Sequence, residues 1–154
     1  VTPDHDSLRR AEEVLGRVLE EELVFEPSVA AVDIDEDPSL RRWYVRLEGV
    51  ERDYITIWFT LRERSLHFEA YFMPQPIENH LALMRLLLRL NRKLVGVHFA
   101  IDGDDEVYLQ GAIPVATVTA DELDRIIGTV YATVEQYFGM AMSVGYASRF
   151  APRS

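Results

Sequence analysis

With 154 residues, 48% hydrophobic and 27% charged, the chain has the make-up of an ordinary globular protein of one domain, and no run approaches the ~20 apolar residues of a membrane helix. A net charge of −10 argues against general nucleic-acid binding, which needs clustered Lys and Arg to neutralise phosphates, and favours a basic partner. The lack of cysteine excludes disulfides, thiolate chemistry and a cysteine zinc site. Acidic, polar first residues without the basic and apolar regions of a secretory signal add to the expectation of a cytoplasmic protein.

Thr2 and Pro3 suit the N-cap and first position of a helix. Leu8, Ala11, Leu15, Val18 and Leu19 then share one helical face. Gly16 weakens this helix without having to break it, and residues 25–27 end it. Val29 to Ile34 can form a short strand before a loop crowded with Asp35, Glu36 and Asp37. Three clearer strands follow. Trp43 to Leu47 alternates, as does Tyr54 to Leu61, with Ile55, Ile57 and Phe59 opposite Tyr54, Thr56 and Trp58. Leu66, Phe68, Ala70 and Phe72 form one face of the next strand, opposite His67, Glu69 and Tyr71. The short connections make these strands an antiparallel meander, and Pro74 and Pro76 close it.

Leu81 to Leu94 reads as a very apolar helix, with Gly96 placed to close it in a left-handed conformation. Residues 97–101 and 107–113 alternate as a hairpin whose turn is Asp102 to Glu106, signalled by Asp102-Gly103, and Pro114 stops the return strand. Thr119 to Glu122 reads as a capping box, with Val118 and Leu123 as its hydrophobic staple. The last helix runs from residue 120 to about 142, with a stripe that includes Leu123, Ile126, Val130 and Val134. Gly145 is placed to end it, and a docked or frayed tail follows. The order is helix, antiparallel meander, helix, hairpin, helix: an α+β domain with helices on a mainly antiparallel sheet.

This order, with Trp43 to Leu47, Leu86 to Asn91, Val97 to Asp102 and Glu122 to Ile127, resembles the YbjN family of bacterial sensory transduction regulators. That family's fold is similar to that of the type III secretion chaperones, which are small, acidic, dimeric and non-enzymatic. The resemblance implies a single YbjN-like domain over residues 1–154 that acts as a dimeric protein-binding module. It supplies no catalytic residues and no cofactor.

The residues themselves show little chemistry. Asp33, Asp35 and Asp37 have the spacing of a calcium loop's first ligands, but its sixth and twelfth positions hold Pro38 and Tyr44 instead of Gly and Glu. The four histidines form no helical ligand pair, and neither a nucleophile elbow nor a phosphate loop is visible. No metal, cofactor or enzymatic activity is expected. Two surfaces remain. If Ile55, Ile57 and Phe59 point inward, Tyr44, Trp58 and Tyr71 point outward as candidate partner-binding anchors, or as aromatic packing that only steadies the sheet. On the central helix Leu83, Leu87, Leu90 and Leu94 form one stripe and Leu81, Met84 and Leu88 another. The apolar arc spans roughly 220°, more than one core requires. Leu81, Met84 and Leu88, with Asn91 hydrogen-bonding nearby, are therefore the expected interface of a two-fold homodimer. Arg85, Arg89, Arg92 and Lys93 read as a solvated helix face. The expected function is polypeptide binding, with a small-molecule sensor, its pocket between sheet and helices, as the alternative.

Overall fold

The computed structural model describes residues 5–150 of the chain. The expected cap at Thr2 and Pro3 lies outside them. Helix α1 (His5–Leu15) meets Gly16 and widens into a π turn, Gly16–Glu22, then tightens into a 3₁₀ turn, Leu23–Phe25. The helix thus changes its coil at the one residue expected to weaken it.

Six strands follow: β1 (Val29–Ile34), β2 (Arg42–Glu48), β3 (Tyr54–Leu61), β4 (Ser65–Met73), β5 (His98–Ile101) and β6 (Val107–Pro114). They form one antiparallel sheet in the order β1-β2-β3-β4-β6-β5. Helix α2 (His80–Asn91) connects β4 to the hairpin, α3 (Ala120–Gly145) follows it, and α4 (Ala147–Phe150) adds a last turn. This is the expected α+β architecture. The hairpin joins the sheet through β6, so β5 is an edge strand and β1 the other.

Alternation decides which side is the core. Trp43, Val45 and Leu47 of β2, Ile55, Ile57 and Phe59 of β3, and Leu66, Phe68 and Ala70 of β4 are buried on one face. Ala11, Leu15 and Leu19, then Leu83, Leu87 and Leu90, then Leu123, Ile126 and Val130 complete that core from the helices. Trp43 donates its indole N–H to Glu20 at 3.2 Å. Arg10 holds the link between β6 and α3 by donating to the carbonyls of Val118 and Ala116 at 2.9 and 3.0 Å.

Gly111 of β6 lies opposite Phe68 of β4. A Cβ placed there would sit 2.5 Å from the Gly96 carbonyl oxygen and 2.5 Å from the Phe68 ring, so only glycine admits both neighbours. Gly96 has φ +77°, the expected left-handed close after α2.

One local expectation needs correction. Thr119 does accept the Glu122 N–H at 3.1 Å, and Val118 and Leu123 are buried as a staple requires. The return arm of the capping box is not made, because Glu122 turns to Arg125 one turn along, a partner that carries a full charge of its own. The hairpin turn falls at Asp102 to Glu106 as expected, and its left-handed residue is Asp105 (φ 60°). The Asp102 carboxylate sets this by accepting the N–H groups of Asp104 and Glu106 at 2.9 and 3.0 Å.

Candidate docking surfaces

The sheet's other face is left uncovered by the helices packed on the core side, and an aromatic row crosses it. Tyr44 and Trp58 are directly paired across β2 and β3, with ring centroids 6.4 Å apart and nearly perpendicular. Trp58 lies 6.3 Å from Tyr108 of β6, and Tyr108 lies 5.6 Å from Tyr71. The three aromatic residues expected on this face are therefore on it, joined by Tyr108. Alternation alone could have found Tyr108, which sits between buried Val107 and Leu109.

These rings are not equivalent. Tyr44 donates its hydroxyl to Asp35 at 2.6 Å, and Tyr71 donates to Glu106 at 2.5 Å. The Arg52 guanidinium stands 5.3 Å from the Tyr71 ring and donates to the Tyr71 and Phe72 carbonyls at 2.7 and 2.8 Å. Tyr44 and Tyr71 thus already serve the fold. The indole N–H of Trp58 has no partner among the described residues. Trp58 and Tyr108 wall a groove of about 580 Å³, with Arg42, Arg62 and His67 at its margin. Burial, then the nearby Arg62, lowers the His67 pKa and favours the neutral ring. On this face Trp58 combines apolar area with a donor that no described residue uses.

The two tyrosines give a pH signature. The bond to Asp35, then burial, raises the Tyr44 pKa; burial, then the bond to Glu106, raises that of Tyr71. The native state holds these phenolic protons more tightly than the unfolded chain, where tyrosine titrates near ~10. Their stabilisation is complete below that pH and is lost as pH rises through the higher native values. Urea midpoints measured across the alkaline range should therefore fall above about pH 10. The fall should be shallower in Tyr71→Phe; an equally steep fall would mean that the Glu106 bond does not persist in solution.

The central helix divides its apolar arc as its two stripes suggest. Leu83, Leu87 and Leu90 are buried, whereas Leu81 and Leu88 are 65% and 67% exposed, with half-buried Met84 between them on the same face. Asn91 does not belong to that open stripe's polar chemistry. Its side-chain oxygen accepts the Phe99 N–H at 2.7 Å and its amide nitrogen donates to the Phe99 carbonyl at 3.1 Å. Asn91 thus stands in for a neighbouring strand along the outer edge of β5.

The acidic loop after β1 uses its carboxylates internally. Asp35 accepts the Asp37 N–H at 3.0 Å as well as the Tyr44 hydroxyl, and Asp37 accepts the Ser39 hydroxyl at 2.6 Å. These bonds, with the Tyr44 and Ser39 hydroxyls foremost, lower both carboxyl pKa values. Among the described residues no three His, Asp or Glu side chains converge on one point as metal ligands.

Comparison with known proteins places this arrangement. The model of the YbjN family, described as "Putative bacterial sensory transduction regulator", matches residues 17–141. An uncharacterized protein of Mycobacterium leprae, ML2442, is 36% identical over 109 residues, which are 71% of this chain and 59% of that protein. Rv0487 of Mycobacterium tuberculosis, also uncharacterized, is 35% identical over 104 residues, 68% of this chain and 57% of the relative. The chain thus spans less than two thirds of the length of these curated relatives. Among solved structures, the Yersinia pestis type III secretion chaperone SycH, in complex with a fragment of YscM2, superposes with a TM-score of 0.56 at 16% identity, covering 80% of this chain and 96% of that one. A chain of the ExsC–ExsE complex gives 0.55 at 18% identity, covering 88% and 93%. The shared feature is the fold.

Proposed function

The chain belongs to the YbjN family, and we propose that it is a non-enzymatic regulatory or chaperone-like module that binds a polypeptide, acts as a homodimer and works in the cytoplasm as one folding unit. One observation carries the reading of polypeptide binding: a sheet face away from the helical core that bears Trp58, whose N–H has no partner among the described residues, beside a groove. SycH and ExsC share the fold and were solved with polypeptide partners, which supports the same use of it here. Leu81, Met84 and Leu88 form the proposed dimer contact, an apolar stripe too exposed for a helix whose other stripe already serves the core. Asn91, at the end of the same helix, engages Phe99 with its amide and so ties the proposed contact to β5. The rival sensor reading needs room between sheet and helices. Phe59, Phe68, Phe72 and Leu109 fill the centre of that space, each no more than 2% exposed, and leave room only at its margin, beside β1 and α3. No helix among the described residues is long and apolar enough to cross a membrane.

The test uses two variants. Affinity purification of the intact protein should bring down a bound polypeptide. Trp58→Ala should weaken that complex by ~2 kcal/mol or more, as loss of an aromatic anchor does, with little change in melting temperature. A large loss of stability without a binding defect would assign Trp58 to the fold alone. In sedimentation equilibrium the wild type should be a dimer, and Met84→Glu, which brings two like charges into a two-fold contact, should be a monomer. A monomeric wild type would remove the dimer from the proposal.

A further inference from the structure

We propose that a second groove, bounded by the π turn, the start of β1 and α3, is a docking site for a basic segment of another polypeptide, its apolar residues flanked by Lys or Arg. This rests on the reading of the chain as a polypeptide-binding module, but not on the Trp58 face. The groove encloses about 660 Å³. Val18, Leu23, Val29, Ile127 and Tyr131 give it an apolar floor. Four carboxylates stand around that floor, Glu22 and Glu26 on one side and Asp121 and Asp124 on the other, and no Lys or Arg among the described residues lines it. Arg17 stands 3.6 Å from Glu22; the other three carboxylates have no ion pair among the described residues.

Charge and shape together select the occupant. The carboxylates border an apolar trough instead of converging as metal ligands, so they suit separate cations carried on an apolar segment. The wall on the α3 side includes Gly128 in mid-helix. A Cβ added at Gly128 meets nothing within 4 Å, so the fold does not require the missing side chain. A glycine there lowers helix stability relative to alanine, yet it keeps the groove open. The opposite wall is the π turn, a coil that recurs at functional sites. The cationic face of α2 in a second copy could also meet these carboxylates, but that contact is heterologous and builds open chains instead of a closed pair.

The probes are a fluorescein-labelled leucine–lysine peptide with leucines at helical spacing and its leucine–glutamate counterpart, read by fluorescence anisotropy with the intact protein. The lysine peptide should bind and weaken with salt, and the glutamate peptide should not. Gly128→Leu changes no charge, so it leaves non-specific attraction intact while filling the trough; it should weaken binding by about tenfold or more. Asp121→Asn with Asp124→Asn should weaken it as well, whereas a charge-matched control, Glu36→Gln with Asp104→Asn, should not. The Asn pair decides the matter if Gly128→Leu fails to fold. Undiminished binding by either groove variant, or equal binding of both peptides, would overturn the proposal. So would concentration-dependent polymerisation that Gly128→Leu abolishes while the lysine peptide stays unbound, since a second copy would then be the occupant. Trp58→Ala should leave the lysine peptide bound, which separates failure of this groove from failure of the sheet-face site.

Discussion

Gly111→Ala is expected to cost about 3 kcal/mol of stability, at the upper end of the range for forcing atoms into a filled core. The added methyl has no way out. One obstacle, the Gly96 carbonyl, is backbone held by the left-handed turn that closes α2, and the other is the ring of Phe68, only 2% exposed. For a chain of this length that loss corresponds to a melting temperature lower by roughly 6–12 °C. Gly103→Ala is the control, because a Cβ there meets nothing within 4 Å and its φ is not left-handed. Phe68→Leu in the Gly111→Ala background should recover only part of the loss, since the carbonyl obstacle stays. Equal melting of Gly111→Ala and Gly103→Ala would show that β6 and the Gly96 turn are farther apart in solution.

Asn91→Leu is expected to cost a similar amount, about 3 kcal/mol, by a different route. The substitution preserves volume and apolar packing but leaves both the N–H and the carbonyl of Phe99 without the partner they have on the outer edge of β5. Phe99 is 5% exposed, so solvent replaces that partner poorly. Hydrogen exchange provides a second readout. The Phe99 amide should be protected in the wild type and should exchange far faster in Asn91→Leu, while amides at the centre of β3 change little. If Phe99 stays protected, water or a shifted α2 already satisfies the edge.

Much of the fold is legible in the chain because single-residue periodicity reports burial directly. Ile55, Ile57 and Phe59 against Thr56 and Trp58 orient β3, and the two leucine stripes of α2 separate into a buried and an open face as their spacing indicates. Interactions between residues distant in sequence are not legible in this way. Nothing local says that β6, instead of β5, pairs with β4, or that Asn91 turns its amide onto Phe99. The outer aromatic face could be located from alternation. That Tyr71 is already engaged by Glu106 and Arg52, leaving Trp58 as the freer anchor, depends on register across three strands and a loop. Glu122 shows the same limit at short range: two partners were within reach, and a motif cannot weigh a cation one turn away against a backbone N–H.

The insertion of β6 between β4 and β5 also governs how the chain is made. Strands β1 to β4 can pair with their sequence neighbours as they emerge, and the β5–β6 hairpin closes locally within microseconds. The seam between them joins Ser65 to Pro114 and must wait until α2 and the hairpin have left the ribosome. Until then β4 presents a bare edge that carries Leu66, Phe68, Ala70 and Phe72. The interval of greatest exposure during synthesis therefore falls mid-chain. In the finished molecule the same seam pairs eight residues, more than any other two strands of the sheet, so the junction that closes last in synthesis is the most extensively bonded afterwards.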